Sequence, residues 1–377
     1  MLEIGKDLKK NQVIQIDESH SRAILICGKR GSGKSYTLGV IAEELFSSKE
    51  KPLILIVDPI GIYWTMCLSS DSKSQGLPVK VIIAGKPQAR YGAEVTSQMQ
   101  KLGVEFKELR INPCDLSCDQ WCELFDLSIN EPLGIALSRA VQQLKKKSFS
   151  LSDIVNAIQK DVLSQDKTKE ALFNRLEMAS SWDIFAQNPQ TFLTLLSPEQ
   201  INILDLSVID PGSYGLRNLI LSILCQELFK RRVQARRREA LNLNSQLNRI
   251  WLLIDEAHQF VPQGKNTLSK EILIRWIKEG RQPGLSCVLA SQQPSSLENE
   301  VLTQCDIIIC HKLTNTDDIL AVNKLSQDYM GSELRIYIRN LKNIGEAVLV
   351  DDEKERVLMV RIRKRLTLHG GEEAKTQ

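Results

Sequence analysis

The chain contains no run of about 18 uninterrupted apolar residues, which is the length that a membrane-spanning helix needs. Its first residues, from Met1 to Lys6, also lack the apolar core of a secretory signal peptide. These two absences argue against membrane and exported classes and predict a cytoplasmic protein. The net charge of +3 is small for 377 residues, so a surface that binds nucleic acid would have to be local.

The nine cysteines occur without an export signal, which favours reduced thiols in a protein core. Three of them, Cys114, Cys118 and Cys122, are spaced four apart and could lie along one face of a helix. A zinc site would need a fourth ligand and usually has paired clusters of ligands. No further His or Cys lies close to these three in the sequence, so we expect core residues here.

Continuous apolar runs, rather than alternating ones, recur along the chain. Such runs are typical of parallel strands that are buried on both faces, and the helical spacing between them predicts a doubly wound α/β core. The expected core strands are 22–27, 53–57, 79–84, 201–206, 250–254, 285–290 and 307–310. Two closing strands are expected at 345–350 and 356–362.

Residues from about 115 to 200 differ, because their apolar positions follow helical spacing and no strand is evident. Helices are expected there at 136–147, 151–163 and 169–178. We interpret this segment as a helical insertion that separates two parts of one core, 1–114 and 201–368, with a flexible tail at 369–377. A helix at 214–240 ends in an arginine-rich run, which fits a solvated helix end or a contact with nucleic acid or a subunit.

The segment Gly28–Ser35 matches G-x-x-x-x-G-K-[ST] in full and lies between an apolar strand and a helix, the context of a phosphate loop. Its glycines let backbone N–H groups surround the phosphates. Lys34 is expected to reach the β- and γ-phosphates, and Ser35 to bind Mg²⁺. ATP and Mg²⁺ are therefore the predicted ligands, with nucleotide contacts from Gly28, Gly31, Ser32, Gly33, Lys34, Ser35 and Tyr36.

The predicted strand 250–254 ends in Asp255 and Glu256, at the edge where open parallel sheets bind ligands. We expect Asp255 to hold magnesium and Glu256 to activate the attacking water. Gln292 follows the next core strand and is expected to contact the γ-phosphate or its water. Residues 255–258 also spell Asp-Glu-Ala-His, but helicases of that class need a second ATPase lobe, and too few residues follow His258 to form one.

Two basic residues are candidates for functions outside this cluster. Arg281 lies in a loop with two glycines and a proline, where it is either a surface arginine or a cation that reaches the γ-phosphate of a neighbouring subunit. Lys265, in the polar loop 263–266, is our candidate for a DNA contact.

Six segments together resemble the HerA branch of the HerA/FtsK ATPases: 28–35, 58–63, 253–262, 279–281, 289–295 and 345–348. The resemblance implies a RecA-like P-loop NTPase core that forms a homo-hexameric ring and moves double-stranded DNA through its pore. It places Gln292 at the sensor position and Arg281 at the arginine finger that acts in trans. Arg22 falls where a second trans-acting basic residue occurs in the family.

The sequence also departs from that family. Longer members carry an N-terminal β-barrel of about a hundred residues, whereas only some twenty residues precede the first predicted strand here. The motif Asp-Pro-His-Gly-Glu-Tyr has become Asp-Pro-Ile-Gly-Ile-Tyr at 58–63. The loss of that His and Glu argues against a role of the motif beyond packing.

We therefore expect a ring-forming ATPase that translocates DNA and works with a nuclease or another effector in DNA-end processing or antiphage defence. The alternative is a nucleotide-gated oligomeric platform that holds an effector enzyme and hydrolyses ATP slowly. An ATPase of a conjugation or secretion machine is a third option, but such proteins are usually longer and membrane-associated.

Overall fold

One mixed sheet organises the molecule. The computed structural model describes residues 1–71, 76–144, 148–187, 189–210, 215–245, 247–325 and 334–371. In these residues twelve strands form the sheet: β1 Leu2–Asp7, β2 Val13–Ile16, β3 Ala23–Cys27, β4 Leu53–Asp58, β5 Val79–Ala84, β6 Val104–Leu109, β7 Ile201–Asp205, β8 Ile250–Ile254, β9 Leu285–Ser291, β10 Ile307–Cys310, β11 Glu346–Asp351 and β12 Arg356–Ile362.

The order of the strands across the sheet is β2-β1-β12-β11-β10-β3-β9-β8-β4-β7-β5-β6. The eight strands from β10 to β6 run parallel, and the other four extend the sheet in antiparallel pairs. β3 lies between β9 and β10, so the chain crosses over on both sides of it. Such a position is where open α/β sheets bind ligands, beyond the carboxyl ends of the strands.

Helices connect the strands and cover both faces of the sheet. Those of the described residues are α1 Lys34–Ser47, α2 Pro87–Tyr91, α3 Ala93–Lys101, α4 Cys118–Leu124, α5 Pro132–Leu144, α6 Leu151–Gln159, α7 Asp166–Ser181, α8 Phe192–Leu195, α9 Leu216–Ala240, α10 Lys270–Glu279, α11 Asn299–Leu302, α12 Thr316–Asn323 and α13 Leu334–Arg339. Among them, none has the length and apolar character that crossing a membrane requires.

The central strands are buried on both faces, which explains their continuous apolar sequences. In β3, Ile24 and Ile26 pack into one apolar cluster, whereas Leu25 packs into the cluster on the other face. In β8, Trp251 and Leu252 divide between the two clusters in the same way. The predicted α/β class and the mostly parallel sheet are confirmed.

Three strands were missed from the sequence. β1 and β2 precede β3, so the prediction that the first strand lies at 22–27 is wrong. β6 was also missed. It is the edge strand on one side of the sheet, and β2 is the edge strand on the other. The edge strands β2 and β6 mix exposed and buried residues, because they are covered less completely than the centre, and they lack the continuous apolar run that revealed the others.

The described residues between 115 and 200 form helices α4 to α8 and contain no strand. Their apolar side chains, Trp121 and Leu172 among them, join the cluster that also covers β3 and β8. The helix expected at 151–163 ends at Gln159, and the one expected at 169–178 is longer at both ends. Parts of three other predictions, residues 145–147, residue 214 and the tail from 372, lie outside the described residues.

The three cysteines of this region pack within it. Cys118 and Cys122 are buried on α4, and Cys114 lies in the 3₁₀ turn before that helix. The thiol of Cys118 lies 3.8 Å from the carbonyl oxygen of Ser138, and the backbone N–H of Phe149 donates to the sulfur of Cys114 at 3.1 Å. These contacts tie α4 to α5 and to the segment before α6.

Residues 363–371 follow β12 and lie across α1, and we call them the C-terminal strap. Glu43 on α1 is almost fully buried and accepts hydrogen bonds from the backbone N–H groups of Leu366 and Thr367 and from the hydroxyl of Thr367. The guanidinium of Arg363 also binds Glu43, at 2.8 Å. The strap therefore fixes the helix that follows the phosphate loop.

Candidate nucleotide site

The phosphate loop joins β3 to α1, as the sequence predicts. Gly28 and Gly33 have φ angles of 155° and 113°, a region that side chains other than glycine rarely adopt. A Cβ atom at Gly28 would also lie 2.6 Å from the Cβ atom of His311. The hydroxyl of Ser32 donates to the carbonyl of Lys29 at 2.7 Å and closes the loop on itself.

Lys34 begins α1 and is buried, and its ammonium donates to the carbonyl of Lys29 at 3.3 Å. The pKa of Lys34 is lowered, because burial outweighs the nearby carboxylates of Glu256 and Asp255, which raise it. The ammonium thus faces the acidic pair across the site. One wall of the site is positive and the other negative, which is the polarity that a phosphate chain with a bound divalent cation requires.

A buried histidine supports the loop from below. His311 follows β10, and its Nδ1 lies 2.9 Å from the carbonyl oxygen of Glu346 while its Nε2 lies 2.9 Å from the hydroxyl of Thr37. Because a carbonyl only accepts, Nδ1 carries the proton and Nε2 accepts from Thr37. Burial lowers the pKa of His311 to about 4, so the imidazole is neutral. The one local sign of His311 in the sequence is that it is a polar residue directly after the apolar run 307–310.

The closing motif 345–348 contacts the same loop. The backbone N–H of Gly345 lies 3.4 Å from the carbonyl of Ser32. Burial raises the pKa of Glu346, but hydrogen bonds from Asn343 and Arg361 outweigh it and hold the value at about 2. The motif therefore anchors the amino end of β11 beside the phosphate loop through an ionised carboxylate that accepts several hydrogen bonds.

The acidic pair stands at the carboxyl end of β8. Asp255 is fully buried, and Glu256 adopts the left-handed backbone conformation with φ 46°, which is rare outside glycine and often marks functional sites. Gln292, directly after β9, donates its amide N–H to Oε1 of Glu256. Oε2 of Glu256 is buried and accepts no hydrogen bond from the described residues. Nδ1 of His258 lies 3.5 Å from it.

Tyr63 holds Asp255, and sequence reasoning missed it. Its buried phenol donates its one hydrogen to Oδ2 of Asp255 at 2.8 Å, and the phenol oxygen also lies 3.4 Å from the backbone carbonyl oxygen of Ser35. Burial, together with Asp255 and Asp58, raises the pKa of Tyr63 well above its ordinary value. It therefore remains a hydrogen-bond donor that links the two predicted magnesium ligands, Ser35 and Asp255.

The motif 58–63 shapes the turn that presents this phenol. The carboxylate of Asp58 accepts from the backbone N–H groups of Ile60, Gly61 and Tyr63, at 3.1, 2.7 and 2.9 Å. Burial and the neighbouring Asp205 raise the pKa of Asp58 to about 7. The expectation that the motif only packs is therefore wrong, because the retained Asp and Tyr position Asp255 without the missing His and Glu.

Arg22 and Arg281 lie at the amino ends of the parallel strands, on the side of the sheet opposite the nucleotide site. Arg281 is exposed in the loop before β9, and its carbonyl accepts from the hydroxyl of Ser21 at 3.3 Å. Arg22 precedes β3 and is only 7% exposed. Its guanidinium binds Glu353 at 2.5 Å and the backbone carbonyl of Asp17 at 3.1 Å. Arg22 would have to leave the Glu353 ion pair to reach another subunit.

Tyr36 and Lys265 are the two remaining predicted residues. Tyr36 on α1 is half-buried under the C-terminal strap, where its hydroxyl accepts from the backbone N–H of Arg365 at 2.7 Å. Lys265 is exposed in the loop after the acidic pair, and its carbonyl accepts from the ammonium of Lys270 at 3.1 Å.

A phosphate loop, an acidic pair and a glutamine that contacts this pair, at adjacent strand ends of a RecA-like sheet, define a P-loop ATPase. The family model described as "Helicase HerA, central domain" matches residues 2–228, more than half of the chain. The chain belongs to this family of HerA helicases, as the resemblance of its motifs predicts.

The chain is also similar to individual relatives and to solved structures. A probable helicase of Methanocaldococcus jannaschii is 24% identical over 99% of this chain and 69% of its own length. The DNA double-strand break repair helicase HerA of Pyrococcus furiosus is 24% identical over 96% of the chain and 69% of its own. In structure, the chain is similar to VirB4 of Thermoanaerobacter pseudethanolicus, with a TM-score of 0.65, 16% identity and 96% of both chains covered.

The plasmid coupling protein TrwB, in complex with the non-hydrolysable ATP analogue ADPNP, has a TM-score of 0.56 and 12% identity, over 94% of this chain and 88% of that one. At these identities the likeness shows the fold alone.

Proposed function

We propose that the chain forms a head-to-tail ring that hydrolyses ATP at subunit interfaces and uses the energy to move double-stranded DNA. The observation that carries the proposal is the placement of Arg281. It lies at the amino end of β9, whereas the phosphate loop lies at the carboxyl end of β3, the parallel neighbour of β9.

The length of β9 makes action on its own nucleotide impossible for Arg281. From Leu285 to Ser291 the strand spans roughly 20 Å, at ~3.3 Å per residue, which is more than an arginine side chain can bridge. In a head-to-tail arrangement, the amino ends of the parallel strands in one copy face the carboxyl ends of these strands in the next copy. Such heterologous contacts form a ring when the rotation between neighbouring copies closes.

Within one subunit, the phosphate loop and Lys34 bind the triphosphate and neutralise its charge, with contacts also from Tyr36. The residues that would hold Mg²⁺ are Ser35 and Asp255, and their fit is supported by the Tyr63 phenol, which joins both. Magnesium, when bound, supplies charge neutralisation at the β- and γ-phosphates.

Glu256 is the base that accepts a proton from the attacking water. Its Oε2 is a buried acceptor that no hydrogen bond from the described residues uses, and such a group is costly unless it serves chemistry. Gln292 orients the other oxygen of this carboxylate. Because the same amide lies at the phosphate side of the site, it is placed to transmit hydrolysis to β9 and thus to the loop of Arg281.

DNA as the substrate is supported by the relatives named as DNA repair helicases. Lys265 is the proposed contact with DNA, because its exposed loop follows the acidic pair directly. Arg22 is proposed to act, like Arg281, on the nucleotide of a neighbouring subunit. A nuclease or defence effector belongs to the same proposal, and we expect the ATPase activity of the chain to be measurable without it.

The test measures ATP hydrolysis with and without linear duplex DNA, the mass of the native particle, and displacement of a third strand from a duplex. We expect a particle of six copies, stimulation by DNA that weakens with salt, and strand displacement. Arg281→Ala should bind ATP normally and lose about 10³-fold or more in turnover, whereas Arg275→Ala, on the exposed face of α10, should not. A monomeric particle or an active Arg281→Ala variant contradicts the ring. Hydrolysis without displacement favours the platform alternative.

A further inference from the structure

A cavity of 470 Å³ opens beside Arg281, at the edge of the sheet opposite the nucleotide site. We call it the arginine cavity. It lies where the loop before β9 meets the end of α9 and the segment before β8. Its charged lining consists of four guanidinium groups and one carboxylate: Arg232, Arg236, Arg249, Arg281 and Glu239.

Arg232 forms part of this lining and is 97% buried, since only 3% of it is exposed. Its Nη1 and Nη2 atoms bind the two carboxylate oxygens of Glu239 end-on, at 2.7 and 3.2 Å. Its Nε–H is buried and has no hydrogen-bond acceptor among the described residues. An unsatisfied buried donor on a guanidinium is costly, so the cavity presents an N–H group that needs an acceptor.

A glycine allows the arginines to converge. Gly284 has a φ of 87°, and a Cβ atom there would lie 3.1 Å from Cγ of Arg249 and 3.2 Å from Nη2 of Arg232. The backbone N–H groups of Gly284 and Leu285 donate to the carbonyl of Gly280, at 3.1 and 2.8 Å. The loop that carries Arg281 is therefore closed on itself and packed against both other arginines.

The charges of the cavity do not balance within the subunit. Arg232 and Arg236 share the single carboxylate of Glu239, the second at 3.5 Å. Arg249 binds Glu50 at 3.1 Å, at a site where both side chains are partly exposed. Arg281 forms no ion pair with any residue that the structure describes. Like charges held this close favour a ligand that brings several negative charges.

The geometry identifies the chemical class of that ligand. Guanidinium groups bind carboxylates and phosphates equally well in their fork geometry. An acidic side chain would bring one charge into the cavity, whereas the terminal phosphates of a nucleoside triphosphate bring several within a small volume. A polyphosphate therefore matches the four guanidinium groups better than a peptide does.

We infer that the arginine cavity receives the terminal phosphates of the ATP bound by the neighbouring copy, with Arg249 as an additional trans-acting contact beside Arg281. Arg232 is a positioning residue that orders the cavity through Glu239 and offers its Nε–H. This inference rests on the proposed ring, and it changes the trans contact from one arginine to a preformed group.

Complementation between two inactive variants tests the inference. Lys34→Ala removes the ammonium at the phosphate loop but keeps the arginine cavity, and Arg249→Ala does the reverse. Each alone should lose at least tenfold in turnover, and Arg249→Ala should keep its affinity for ATP and its native mass. Mixing the two should restore hydrolysis, because the phosphate loop of one variant meets the cavity of the other.

Two further variants make the result specific. Arg237→Ala changes an exposed arginine on the same helix that does not line the cavity, and it should retain full turnover. Arg236→Ala changes a partly exposed member of the cavity and should lose turnover to a smaller extent, which keeps the test valid if Arg249→Ala does not fold. Urea unfolding of each variant establishes that it is folded.

A mixture of Arg281→Ala and Lys34→Ala separates failure of the inference from failure of the ring. If that pair complements while Arg249→Ala and Arg236→Ala hydrolyse ATP as the wild type does, the inference is overturned and the shared site stands. If no pair complements, the ring proposal falls with it. A change in DNA affinity alone, with basal turnover intact, would assign the cavity to DNA phosphates and also overturn the inference.

Discussion

The phenol of Tyr63 donates a 2.8 Å hydrogen bond to Oδ2 of Asp255. The two residues are 192 positions apart and come from the ends of β4 and β8, which are neighbours in the sheet. The same hydroxyl contacts the carbonyl of Ser35 at 3.4 Å. One buried hydroxyl thus sets the spacing between the phosphate loop and the acidic pair.

Replacement of Tyr63 by Phe should raise the magnesium concentration needed for half-maximal hydrolysis about 10- to 100-fold. Loss of a group that orients a metal ligand typically lowers metal affinity by this factor. The ring of Phe preserves packing, so the fold should remain. The measurement is ATP turnover against magnesium concentration. Tyr91→Phe is the matched control, because Tyr91 donates in the same way to Asp205 at the end of β7. An equal effect in both variants would indicate a general packing defect.

Replacement of Glu256 by Gln should abolish hydrolysis and leave ATP binding intact. The amide cannot accept the proton of the attacking water, and loss of a general base typically costs about 10²- to 10⁴-fold. Single-turnover hydrolysis and nucleotide binding measured on the same preparation separate the two steps. Glu279→Gln, an exposed carboxylate on α10, serves as the control. Turnover within a few-fold of the wild type would remove Glu256 from the proposed chemistry.

His311 should make the protein less stable as the pH falls. Its pKa in the folded state is about 4, below the ordinary value of 6.5, so the unfolded chain binds the proton more readily between these values. The contribution of His311 to the free energy of unfolding is therefore fully present above about pH 6.5 and is lost as the pH falls toward 4. At pH 5 the loss is on the order of 2 kcal/mol. In His311→Gln, whose amide can form both hydrogen bonds without titrating, this component should be absent.

The comparison uses urea unfolding of the wild type and His311→Gln near pH 7.5 and near pH 5. Carboxylates elsewhere titrate in both proteins, so only the difference between them reports on His311. An identical loss of stability in both would contradict the neutral, buried assignment.

Glu43→Ala should destabilise the protein by about 3–5 kcal/mol, because it leaves the buried guanidinium of Arg365 without its carboxylate and removes one of the two carboxylates that Arg363 binds. Glu43 is 1% exposed, so water cannot replace it without opening the strap. Chemical unfolding measures the loss, and hydrogen exchange at 366–368 should rise. Glu44→Ala, one residue along and more exposed, should cost much less. Equal costs would show that the strap does not depend on Glu43.

The sequence predicted the centre of the sheet well because burial on both faces leaves an apolar signature in each strand. Residues 53–57 and 250–254 therefore appear within β4 and β8 almost to the residue. The edge strands β2 and β6 were missed because partial cover leaves polar residues within them. The segment 2–7 shows the same limit, since polar residues interrupt it and one of its partners, β12, lies far away in the sequence, where no local pattern reveals it.

The site divides in the same way. Lys34, Asp255 and Gln292 were predicted because each follows a strand and belongs to a recognisable motif, and the structure brings Gln292 onto Glu256 as an explicit contact. Tyr63 and His311 were not predicted, because their importance depends on pairing between β4 and β8 and between β10 and β3. The roles of all these residues, and of Arg22, Arg281 and Lys265, stay predictions.

The C-terminal strap links Glu43 to Leu366, which is 323 positions later in the chain. During synthesis the phosphate loop leaves the ribosome early, long before the strap that clamps its helix exists. The carboxylate of Glu43 on that helix therefore lacks these partners until 323 further residues have been made. The stability of the helix that carries Lys34 and Ser35 is accordingly set by residues made long after it.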